Sequence, residues 1–100
     1  MAFEMYCQDE RAFIDHHEEA LFELARGSDR YPRLEWIWSQ FYADPKIHPE
    51  MANELVHELI QLRTTAQGDD CRWLLHVIDR LLPFFSRAYT ANAGINCASD

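Results

Sequence analysis

Apolar positions recur at a helical interval along most of this chain, and the longest such stretch runs from Asp70 to Tyr89. Leu74, Ile78, Leu81, Phe85 and Ala88 share one side of a helical wheel there, and Cys71, Leu75, Leu82 and Tyr89 widen it. Arg72, His76, Asp79, Arg80 and Arg87 fall on the opposite side. Asp69 or Asp70 suits the N-cap. Pro83 lies inside the stretch, on its outward side, and predicts a kink there.

Three shorter helices precede it. The first spans about Asp9 to Arg26, with Asp9 as N-cap, an inner stripe of Phe13, Ile14, His17, Leu21 and Leu24, and Gly27 as the terminating residue. The second opens at Pro32, whose missing N–H is harmless in a first turn. It continues to about Tyr42 with Leu34, Ile37, Trp38 and Phe41 inward, and Asp44-Pro45 ends it. The third opens at Pro49 and ends near Ala66, before Gly68. Its inner side is marked by Ala52, Leu55, Val56, Leu59, Ile60 and Arg63.

The two ends are less regular. Phe3, Met5 and Cys7 alternate as a short strand would, while Phe3, Tyr6 and Cys7 also continue the helical face that follows. No Gly or Pro separates them from that face, which favours the helix. Ile95 to Cys97 reads as a brief segment that could be extended. The expectation is therefore an all-α domain over residues 1–100: a small bundle of four main helices, the last long and kinked at Pro83. One hundred residues with nearly half apolar are enough for a single core.

Charge changes the picture. The net charge is −8, and it is uneven. Residues 1–58 hold thirteen acids against five bases, whereas the remainder is balanced at four of each. Such a surface argues against direct nucleic-acid binding and against anionic membranes. No apolar run is long enough to span a bilayer, no signal peptide is recognisable, and three Cys without a CxxC pair fit a reduced cytoplasmic compartment.

Glu50, Glu54 and Glu58 recur every four residues on the third helix, as do Asp15, Glu19 and Glu23 on the first. Like charges at that spacing each cost roughly 0.2–0.5 kcal/mol in an isolated helix, and no Lys offsets them. They are either an ordinary solvated face or an anionic surface for a basic partner. Trp36, on the outer side of the second helix, is a candidate anchor beside them. The candidate partner-binding residues are thus Glu50, Glu54, Glu58 and Trp36, then Glu19 and Glu23. The arginines of the last helix could pair within the fold or serve a homodimer.

Catalytic and metal motifs are missing. No phosphate-binding Gly loop, GxSxG or HExxH occurs, and the adjacent His16 and His17 point apart on a helix. The expectation is a non-enzymatic protein with no cofactor and no metal.

Two segments, Tyr31 to Leu62 (YPRLEWIWSQFYADPKIHPEMANELVHELIQL) and Arg80 to Asp100 (RLLPFFSRAYTANAGINCASD), resemble small cytosolic immunity proteins that accompany bacterial polymorphic toxins, of the contact-dependent inhibition and secreted-effector kinds. The resemblance implies an inhibitor that binds a cognate toxin domain, such as a basic nuclease, and blocks it. A phage-encoded nucleic-acid mimic aimed at a defence complex, or a homodimeric scaffold protein, would share the acidic character.

Overall fold

The computed structural model describes residues 2–26, 29–65 and 72–99. Its elements are β1 (Ala2–Cys7), β2 (Glu10–Asp15), a 3-10 turn (His16–Glu19), α1 (Ala20–Ala25), α2 (Pro32–Ser39), a second 3-10 turn (Phe41–Ala43), β3 (Lys46–Ile47), α3 (Pro49–Thr65), α4 (Arg72–Thr90) and β4 (Ile95–Ser99). Four strands form one antiparallel sheet in the order β2-β1-β4-β3. The fold is α+β, which corrects the all-α helical bundle expected above.

The correction begins at the N-terminus, where a hairpin replaces the start of the first helix. Phe3, Met5 and Cys7 alternate with Glu4 and Tyr6, and Ala12 and Ile14 alternate with Arg11, Phe13 and Asp15. The first set is buried, and the alternation is the period-two pattern of a half-buried sheet. Cys7 faces Glu10 across a two-residue turn in which Gln8 takes φ 53°. Such turns normally show a Gly or Asn at the positive-φ position, and the absence of that signal conceals the hairpin. Asp9 therefore sits in a turn and caps no helix. His17, placed in the core by the helical reading, is exposed, as is Leu24.

β1 acquires its second neighbour from the far end of the chain, where Met5 pairs with Cys97 and Tyr6 with Asn96. A turn at the end of α4 aims the chain into that register. The Ala93 amide donates to the Ala88 carbonyl (2.9 Å) and the Asn92 amide to the Tyr89 carbonyl (3.0 Å). With Asn92 at φ 54°, this is a Schellman ending. The Ile95–Cys97 segment becomes the inner part of β4.

The helices cover one face of the sheet. Phe3, Met5, Cys7, Ala12, Ile14, Ile47, Ile95 and Cys97 are buried beneath them, whereas Tyr6, Arg11, Asn96 and Ala98 on the other face are exposed. The core joins these residues to Leu74, Val77, Ile78, Leu81, Phe84, Phe85 and Ala88 of α4. That stripe is the expected one, widened by Val77 and Phe84 instead of by Tyr89, which is exposed. Phe3, Phe22, Trp38 and Phe41 form an aromatic cluster, with Phe22 stacked on Trp38 at 5.3 Å and Phe3 4.8 Å from Phe41. Pro83 lies within α4 and is exposed. The expected caps Asp69 and Asp70, the stops at Gly27, Ala66 and Gly68, and Cys71 all lie outside the described residues.

α3 is rotated relative to its expected wheel. Ala52, Leu55, Leu59 and Leu62 are buried, Ile60 and Arg63 face outward, and Glu58 turns inward. That rotation determines what the acidic stripe does.

Candidate functional site

The six residues singled out from the sequence fall into different settings. The Glu58 carboxylate is only 7% exposed and serves as a tertiary cap for α2. It accepts the Arg33 amide on both oxygens (3.1 and 3.0 Å) and the Leu34 amide on one (3.0 Å). Tyr31, the residue before Pro32, offers no side-chain cap, so two N–H groups of the first turn rely on a carboxylate from another helix. Burial raises the Glu58 carboxyl above its ordinary pKa, and the two amide donors and Arg33 only partly counter this.

Glu54 forms an ion pair with Arg33 Nε. Glu50 is exposed, and no ion pair joins it to another described residue. Trp36 is half-buried against the core. Glu19 is largely covered, 3.5 Å from His16 Nδ1, and Glu23 is exposed beside Arg26 at 3.8 Å.

A second constellation lies apart from these six residues. Glu18 and Arg80 form a bidentate pair: Nη1 donates to Oε1 at 2.6 Å and Nη2 to Oε2 at 3.0 Å. Glu18 also accepts the Asp15 amide (3.0 Å), tying the 3-10 turn to the end of β2. Arg80 further donates to the Phe13 carbonyl (3.2 Å) and lies 4.6 Å from the centre of the Phe13 ring. Burial alone would raise the Glu18 carboxyl. The Arg80 hydrogen bond, the Asp15 amide and the charges of Arg80 and His17 outweigh it and hold the pKa below its ordinary value. One helical step of seven residues further along α4, Arg87 Nε meets Glu10 at 2.6 Å.

These pairs border a groove between β2 and α4. One part, about 370 Å³, is lined by Glu10, Arg11, Ala12, Phe13, Arg80, Phe84 and Arg87. A second part, about 390 Å³, continues past Glu10 and Arg87 to Cys7 and Ala91. The sequence signal for it was the Arg stripe of the last helix. Its partners were hidden because Glu10 and Glu18 were assigned to a helix that does not exist in that form.

Asp15, His17 and Glu18 bring donor atoms within 4.8 Å of one another. Both Glu18 oxygens already carry the Arg80 guanidinium, so a cation there would face a fixed positive charge at hydrogen-bond distance. The cluster is suited to holding the turn and poorly suited to a metal. Cys7 and Cys97 are buried free thiols, and burial pushes Cys97 up to about 12. Both are held as thiols, the unreactive form. No helix among the described residues is long and apolar enough to cross a membrane.

Comparison with known protein families, with curated proteins and with solved structures returns no match for this chain.

Proposed function

We propose that this chain is a non-catalytic binding protein of the immunity type, acting in the cytoplasm, which neutralises a toxin domain that presents a basic surface. The observation that carries this reading is how charge is partitioned. Arg11, Arg26, Arg33, Arg63, Arg80 and Arg87 are each matched to a carboxylate of the same chain. Positive charge is thereby neutralised locally, and the −8 excess is carried by the remaining acids, among them the exposed Asp9, Asp44 and Glu50. An anionic surface of this kind steers encounter with a basic cleft and raises the association rate.

Within the acidic stripe the roles divide. Glu50 is available for contact, Glu23 is shared with Arg26 and Glu54 with Arg33, and Glu58 keeps α2 and its Trp36 in place. The test is co-expression with each toxin-like domain that the neighbouring genes encode. Protection of the host, together with a one-to-one complex whose association slows as salt rises, is the expected result. Protection should weaken when Glu23 and Glu50 are both changed to Lys. Full toxicity in the presence of the folded protein, or recovery of a homodimer that ignores the toxin, overturns the reading.

A further inference from the structure

We draw no further inference here: the strongest candidate, the surface stripe of half-buried Leu75 and Leu82 and exposed Tyr89 along the flank of α4 away from Arg80 and Arg87, is an apolar helix face, and nothing in the structure shows what covers it.

Discussion

Replacing Glu58 by Ala removes three hydrogen bonds and leaves the amides of Arg33 and Leu34 without acceptors at the start of α2. Hydrogen bonds to a charged group contribute about 1.5–3 kcal/mol each, and an unsatisfied buried donor costs about 1–3 kcal/mol. The two amides share one carboxylate, and water can reach the partly covered Arg33 amide, so these figures do not add in full. A loss of about 2–4 kcal/mol is expected, a large part of the ~5–15 kcal/mol typical of a domain. Glu58→Gln should lose less, because one oxygen remains to accept and the cost of burying a charge disappears. The pH dependence adds a sign. Since the folded-state pKa of Glu58 is raised above its unfolded value, ionisation at neutral pH works against folding, and the contribution of Glu58 improves as pH falls towards about 4.5. The stability of the unaltered protein relative to Glu58→Gln should therefore rise between neutral pH and about pH 4.5. Urea unfolding followed by tryptophan fluorescence is the assay, and Trp36 and Trp38 on α2 report directly on the element at risk. A Glu58→Ala variant within about 0.5 kcal/mol of the parent would refute the capping role, and a pH trend of the opposite sign would show that the amide hydrogen bonds outweigh burial at Glu58.

Four further outcomes can be measured with the same melts and simple chemistry. Arg80→Ala should cost about 2–3 kcal/mol, less than the 3–5 of a fully buried broken pair because its side chain is 31% exposed. Since the Glu18 pKa is lowered, the advantage of the parent over Glu18→Gln should be complete above about pH 4.5 and fade below it, and a pH-independent difference would contradict the pair. Gln8→Gly should stabilise by roughly 0.5–1 kcal/mol, raising the melting temperature by several degrees, because φ 53° suits Gly; a loss would show that the hairpin turn differs. Cys7 and Cys97 should resist iodoacetamide in the native protein and react in urea, as mapped by mass spectrometry, and rapid native labelling of Cys97 would contradict its burial.

The legibility of the site followed that of the fold. The arginines of α4 were visible as a stripe, but Glu10 and Glu18 were placed on a helix, so the pairs they form could not be drawn. Glu58 was visible as an acid at regular spacing. Its inward orientation depended on whether Ile60 or Leu62 marked the inner face of α3, and both are apolar residues compatible with a helical period. The wheel alone does not choose between them, whereas burying Leu62 and meeting the start of α2 does.

By itself, the sequence determined α3, the core of α4, the Pro-marked starts of α2 and α3, and a surface excess of acid. Each of these rests on local information: a period repeated over many residues, a fixed φ, or a count of charges. Only the tertiary structure decided the sheet. β1 needs β4 from roughly ninety residues away, its turn carries Gln where Gly would have announced it, and the six-residue alternation is shorter than the helical run that competes with it. Likewise, which acids are exposed to a partner was decided by packing, since a carboxylate facing a helix start and one facing water have the same letter in the chain.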